Sequence, residues 1–388
     1  MLQLASTDFM FKMLLEELVV ALREAGYDLT IACAEGAYLR EFREAGYRLK
    51  TLSISPGLNV FHHLFSLVQI YRFIKREKFD IVHTHTPVAA FIGRLAAKMA
   101  GTPHIVNTVH GFYFHENMSA LPRKIFVALE RFAGRVTDLT FCESDEDFET
   151  AVRERICPPD RIIAIGNGAN LRRFDLSLLD SARSRVREEL GLPLDADIVG
   201  IVGRIVERKG FVEFVRSMPR VLDAKPDTRF LVVGDALPSD NDSVKDEVKR
   251  LVESFRIKDK VVFAGLRLDI AEVLSAMDVF VLPSYWEGMP GVVLEAMAMA
   301  RPVVTTRVRG CREVTLDGET GILVPPRDVE ALADAVIRLL SDKDLAHRMG
   351  LAGRKRVEER FDRDKVVTKQ LDAFAKLVAP SPPETGDG

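Results

Sequence analysis

The 388-residue chain is 47% hydrophobic and 29% charged, and 54 Lys+Arg against 57 Asp+Glu leave a net charge of −3. That length suits two domains of roughly 100–200 residues, each able to bury a core without staples. The balance lacks the basic excess of a nucleic-acid binder, so no nucleic-acid partner is expected. Cys33, Cys142, Cys157 and Cys311 are scattered without metal-ligand spacing and read as reduced, buried thiols of a cytoplasmic protein. No window approaches the ~18–20 apolar residues of a membrane span, and MLQLASTDFMF lacks the plan of a secretion signal.

Short apolar runs alternate with amphipathic segments along the chain. Strands are predicted at Leu29–Ala32, Leu49–Ile54, Ile81–His83, Ile105–Thr108, Leu139–Cys142 and Ile162–Ile165, with helices near 11–25, 61–76, 87–100, 121–134 and 145–155. The alternation resumes with strands at Ile198–Val202, Phe230–Val233, Val261–Ala264, Val279–Leu282, Val303–Thr306 and Ile322–Val324. Helices near 211–224, 243–256, 269–277, 291–300 and 328–341 separate them. Strand, helix, strand at this spacing implies crossover connections, hence α/β domains with parallel sheets covered on both faces. The charged stretch Asn170–Pro193 reads as a connector with a short surface helix. Domains are therefore expected at 1–175 and 190–360, with a helix at about 362–378 packing back on the first and a disordered Pro- and Gly-rich tail at 379–388. Two such sheets leave a crevice at their carboxyl edges, where open α/β folds bind ligands.

The densest chemical signal is SYWEGMPGVVLEAMAMARPVV, residues 284–304. A strand ends at Pro283, and Pro290 suits the first position of a helix. Glu287 then lies in the loop before that helix and Glu295 about one turn inside it, leaning back toward the same mouth. The amides from Met289 to Val293, with Val292 among them, and the positive end of the helix form an anion site. Gly288 and Gly291 permit close approach of a ligand. The bland alternative is a solvated loop acid and a helix-surface acid; the sharp rival is a glycosidase pair, whose carboxylates would need ~5–9.5 Å separation.

A second signal, VGRIVERKGF at 202–211, follows a strand. Gly203 opens its loop, and Arg204 and Lys209 are two cations able to converge on a diphosphate. In the first half, TVHGFYFHE (108–116) puts His110 at a strand end, and VHTHTP (82–87) puts His83 and His85 on one face of the preceding strand. These read as polar strand ends before a metal site. The triplets Asp145/Asp147, Asp195/Asp197 and Asp240/Asp242 read as helix caps or solvated turns. No G-x-G-x-x-G follows a strand, and neither a P-loop nor a G-x-S-x-G elbow is present.

Taken together, Glu287-x7-Glu295, GRIVERKG, VHG and IGNGANLRRF (165–174) resemble the retaining, nucleotide-sugar-dependent glycosyltransferases of the GT-B fold, family 4 type. The resemblance spans nearly the whole chain. It implies two Rossmann-like doubly wound parallel-sheet domains facing a cleft, and transfer of a sugar from a nucleotide diphosphate, UDP by preference, to a glycan or lipid-linked acceptor. It gives Arg204 and Lys209 the donor diphosphate, Glu295 the ribose, Glu287 the sugar hydroxyls and His110 a place near the reacting sugar, with no metal or other cofactor. It points further to bacterial polysaccharide precursors. The sequence departs from the family at Ser6-Thr7-Asp8, where many relatives carry a glycine pair, and at Val233-Gly234-Asp235-Ala236, where V-G-x-G is usual. A nucleotide-sugar epimerase and a non-catalytic nucleotide-sugar-binding regulator are the alternatives.

Residues 61–135 hold ten Lys/Arg (Arg72, Lys75, Arg76, Lys78, Arg94, Lys98, Arg123, Lys124, Arg131, Arg135) against four acids (Glu77, Asp80, Glu116, Glu130), an excess of 10 − 4 = +6. Interleaved aromatics make peripheral association with the inner face of a membrane one expectation. Helices packed by their apolar stripe on the sheet are the other.

Overall fold

A computed structural model describes residues 1–54, 60–116, 118–236, 240 and 242–379. Of the tail expected at 379–388, residues 380–388 lie outside the described residues. The chain divides into two compact units, Met1–Gly166 with the chain from Lys365, and Asn167–Asp364.

The first unit runs β1 (Leu2–Leu4), α1 (Asp8–Met10), a π-helical segment Phe11–Leu15, α2 (Glu16–Glu24), β2 (Thr30–Cys33), α3 (Leu39–Glu44), β3 (Arg48–Thr51), α4 (Val60–Glu77), β4 (Ile81–Thr84), α5 (Pro87–Ala100), β5 (His104–Val109), α6 (Ala120–Gly134), β6 (Leu139–Cys142), α7 (Asp145–Arg153) and β7 (Ile162–Ala164). Its seven strands are parallel in the order β3-β2-β1-β4-β5-β6-β7. The central strands are buried along their whole length, because helices cover both faces.

The second unit opens with α8 (Leu178–Glu189) and continues β8 (Ile198–Val202), α9 (Phe211–Ala224), β9 (Arg229–Val233), α10 (Lys245–Ser254), β10 (Val261–Gly265), α11 (Ile270–Ser275), β11 (Val279–Leu282), α12 (Gly291–Ala298), β12 (Val303–Thr306), α13 (Cys311–Val314), β13 (Gly321–Val324), α14 (Val329–Ser341) and α15 (Lys343–Arg360). Its six strands are parallel in the order β10-β9-β8-β11-β12-β13. The last helix, α16 (Arg363–Val378), returns to the first unit, where Val366, Ala373 and Phe374 join the core beneath β1, β2 and β6.

The stretch expected as a connector, Asn170–Pro193, belongs instead to the second unit. Phe174, Val186 and Leu192 lie in its core, and Arg187 is buried against Asp278 (2.8 Å) and the carbonyls of Leu194, Ala196 and Ala276. A buried, fully paired arginine makes a packed helix look like a surface one. Helix α15 carried no apolar stripe to announce it, because Gly350 and Gly353 provide its contact face. A Cβ on Gly350 would lie 2.1 Å from the Ala300 carbonyl oxygen.

Each strand order reverses once, between β1 and β4 and between β8 and β11. Loops diverge at such a reversal and open space above the carboxyl ends of the strands.

Candidate functional site

At the second reversal, the loops after β8 and β11 are fastened to each other. The backbone N–H of Tyr285 donates to the Arg208 carbonyl (2.8 Å), the Tyr285 hydroxyl donates to Glu213 (2.6 Å), and the Arg208 guanidinium lies 4.8 Å from the Trp286 ring centroid. Lys209 closes a 3-10 turn, Glu207–Lys209, and is followed by Gly210 at φ +72°. A Cβ on Gly210 would sit 2.1 Å from the Pro283 carbonyl oxygen, so this close approach requires glycine.

These contacts bring the Lys209 ammonium to 2.6 Å from Glu287, whose same carboxylate oxygen accepts from the Ser284 hydroxyl at 2.6 Å. Both side chains are largely buried. Burial lowers the Lys209 pKa against the opposing pull of Glu287. Burial would raise Glu287, but Lys209, Arg208 and the Ser284 hydroxyl together hold it below the ordinary carboxylate range. Glu287 is therefore neither the solvated acid of the bland alternative nor a raised-pKa general acid.

Arg204, 35% exposed, pairs with Asp240 at 2.5 Å. Asp240 was expected as a solvated turn residue; its carboxylate is instead the partner of the first cation. The two predicted cations thus lie in one loop, each held by a different carboxylate.

Pro290 is the N-cap of α12 rather than its first residue, and Gly291, Val292 and Glu295 occupy its half-buried side. Val293 and Leu294 donate to the Pro290 carbonyl (3.0 and 3.4 Å), so of the first-turn amides those of Gly291 and Val292 are the ones without an acceptor in the helix, at its N-terminus. Gly288 and Met289 serve the fold: the Met289 carbonyl accepts from the Asn167 side-chain amide (3.1 Å), its sulfur faces the Asn167 N–H, and a Cβ on Gly310 would lie 1.8 Å from the Gly288 carbonyl oxygen. Met289 can therefore offer a ligand no more than its N–H. Gly203 donates its N–H to the Val233 carbonyl beside Gly234.

At the first reversal, a hydrogen-bonded row crosses the four central strands. Gln3 of β1 faces His85 (2.9 Å), His85 faces His110 (3.1 Å), and His110 meets Glu143, just past β6, at 2.7 Å. His83 lies behind, its Nε2 2.7 Å from the Thr108 hydroxyl, and burial pushes its pKa down to about 3. Thr86 takes φ +65°, costly for a β-branched residue, and its hydroxyl accepts from the Ser6 N–H at 3.0 Å. The histidines are thus buried members of a network and not polar strand ends. Sequence reading passed over Glu143 and Gln3, since strand alternation says which face a residue takes but not what stands opposite.

Helices α4 and α6, which both pack on α5, carry apolar residues on two faces. Ile70, Phe73 and Ile74 of α4 and Val127 and Ala133 of α6 are buried. Outside, Phe61 (87% exposed), Leu64, Phe65 and Val68 line α4, and Leu121 (71%), Ile125, Leu129 and Phe132 line α6.

Family comparison gives these edges their context. Residues 13–173 match the model of Glycosyltransferase Family 4, and residues 196–342 match that of Glycosyl transferases group 1. The chain is 32% identical over 323 residues to alpha-maltose-1-phosphate synthase of Mycolicibacterium smegmatis, covering 78% of this chain and 80% of that protein. The chain belongs to glycosyltransferase family 4. This glycosyltransferase is also 29% identical over 356 residues to the UDP-Gal:alpha-D-GlcNAc-diphosphoundecaprenol alpha-1,3-galactosyltransferase of Escherichia coli, over 91% of this chain and 90% of that one. Its fold is GT-B, as in Anabaena Alr3699/HepE in complex with UDP and glucose, with a TM-score of 0.81 at 20% identity over 96% of this chain and 99% of that chain. The expected fold class and family are borne out.

Proposed function

We propose that this glycosyltransferase moves a sugar from a UDP-linked donor to a hydroxyl of a lipid-linked glycan, with retention of configuration and without a divalent metal. The observation that carries this reading is the pairing of two cations with two carboxylates beside an open helix N-terminus at the β8/β11 reversal. A leaving nucleotide diphosphate needs positive charge where its own charge develops. Arg204 and Lys209 supply it, and the amides of Gly291 and Val292 add uncharged donors. Glu295 takes the ribose hydroxyls. Glu287, fixed by Lys209 and Ser284, accepts from hydroxyls of the donor sugar. His110 stands near the reacting sugar.

The bond from the anomeric carbon to the phosphate oxygen breaks as the acceptor oxygen bonds to that carbon from the same face. The acceptor's proton passes to a phosphate oxygen, so no protein nucleophile is required. The lipid-linked acceptor is supported by the relation to the Escherichia coli enzyme. It is also supported by the outward apolar rows on α4 and α6, which suit peripheral binding at the cytoplasmic face of a membrane. No helix among the described residues is long and apolar enough to cross one.

The test is UDP release from UDP-galactose, UDP-glucose and UDP-N-acetylglucosamine, with and without a diphosphoundecaprenol-linked N-acetylglucosamine acceptor. Acceptor-dependent release that persists in EDTA is expected. Release of an epimerised sugar without acceptor, or donor binding with no turnover, would overturn the transfer reading. Abolition by EDTA with recovery on Mn²⁺ would overturn the metal-free one.

A further inference from the structure

The row Gln3, His85, His110 and Glu143 contains enough hydrogen-bond geometry to assign its protons. Gln3 turns its amide nitrogen to the Met1 sulfur (3.6 Å) and its oxygen to His85 Nε2 (2.9 Å). The reverse orientation would set an amide oxygen against a thioether, which has no proton to give. His85 therefore donates from Nε2. Burial, reinforced by His83 and His110, holds the His85 pKa well below its ordinary value, so the ring is neutral. A neutral imidazole protonated at Nε2 is an acceptor at Nδ1. The 3.1 Å contact between His85 Nδ1 and His110 Nε2 is then donated by His110. On the other edge, His110 Nδ1 lies 2.7 Å from Glu143 Oε1, and a carboxylate only accepts.

Both ring nitrogens of His110 are donors, and both are occupied by protein groups. We propose that Glu143 is the positioning residue of His110: its carboxylate, with His85 on the opposite edge, keeps a proton on each ring nitrogen and locks the ring in one orientation. This deepens the reading of His110 as a residue near the reacting sugar, and rests on it. The Glu143 side chain is 8% exposed and that of His110 17%, so the pair is shielded enough for orientation to be costly to lose. The backbone reinforces it: the Glu143 N–H donates to the Val109 carbonyl, tying the ends of β5 and β6 together. His110 thus meets a substrate with its orientation already set, as orienting partners of functional imidazoles do.

The experiment uses the full chain labelled with ¹⁵N-histidine, with the His110 signals assigned by their disappearance in His110→Gln. In the wild type, both ring nitrogens of His110 should report as protonated. In Glu143→Gln, which keeps the shape and removes the charge, one of them should lose its proton. On the UDP-sugar and acceptor that turn over, Glu143→Gln should lower kcat by ~10–100-fold with the donor KM little changed. In a His110→Ala background the same substitution should cost nothing further, since it acts through the ring. A wild-type His110 with a single protonated nitrogen would overturn the proposal without need of any variant. So would an equal loss from Glu143→Gln in both backgrounds. If no UDP-sugar turns over, the transfer reading fails while the nitrogen signals still decide the role of Glu143.

Discussion

The β8/β11 reversal of the second unit and the β1/β4 reversal of the first are the same topological device filled with different chemistry. In the second unit, full charges are matched one to one, Arg204 with Asp240 and Lys209 with Glu287. In the first, a single carboxylate ends a row of rings and an amide, and His85 is held neutral. One edge stores positive charge under local neutralisation. The other holds a ring in place. Two Rossmann-like units in one chain need share nothing but strand order, because each reversal supplies position and the loop residues supply chemistry.

The sharpest way to break that contrast is to remove a stored charge. Arg204→Ala should lower kcat/KM by at least ~10²-fold, as loss of a preorganised charge stabiliser does. Near wild-type turnover would show that Arg204 serves only Asp240.

Glu287→Gln probes the buried pair through stability. Breaking such a pair costs about 3–5 kcal/mol, because it strands the Lys209 ammonium. The folded-state pKa of Glu287 is depressed, so its contribution is present above the unfolded-state value and lost as pH falls through the lower folded-state one. Unfolding temperatures of wild type and Glu287→Gln should differ most at neutral pH and converge in acid. A gap that widened on acidification would contradict the assignment.

The smallest effect is expected on the first unit's outer helices. Replacing Phe61, Phe65, Leu121 and Ile125 together by Ser removes exposed apolar surface and leaves the buried faces of α4 and α6 intact. Co-sedimentation with anionic phospholipid vesicles should drop several-fold. Turnover of a soluble acceptor should stay unchanged. Vesicle binding that ignored either these residues or anionic lipid would assign the surface to another partner.

The strands of both sheets other than β1 were legible because a buried parallel strand is a short apolar run between helical patterns, and most lie within a residue or two of their predicted bounds. Helix α15 was not, since glycine contacts leave no apolar periodicity, and α3 was too short to show one. Glu287, Lys209 and Arg204 were legible through their spacing around strand ends. Their partners Asp240 and Ser284, and Glu143 beside His110, were not, because a hydrogen bond across loops has no fixed separation in sequence. Which apolar residues of α4 and α6 face outward stayed open for a related reason: apolar residues on a helix do not declare which of two faces is covered.

By itself the sequence determined the fold class, the alternation of strand and helix, and the family to which Glu287, Glu295, Arg204 and Lys209 point, because these depend on local periodicity and short spacings. Only the tertiary structure decided that Lys209 and Glu287 neutralise each other, that α8 is core and not connector, and that His110 is held on both edges. Those outcomes turn on which groups strand order brings within 3 Å, and residues 33 apart, as His110 and Glu143 are, become neighbours only when β5 and β6 pair.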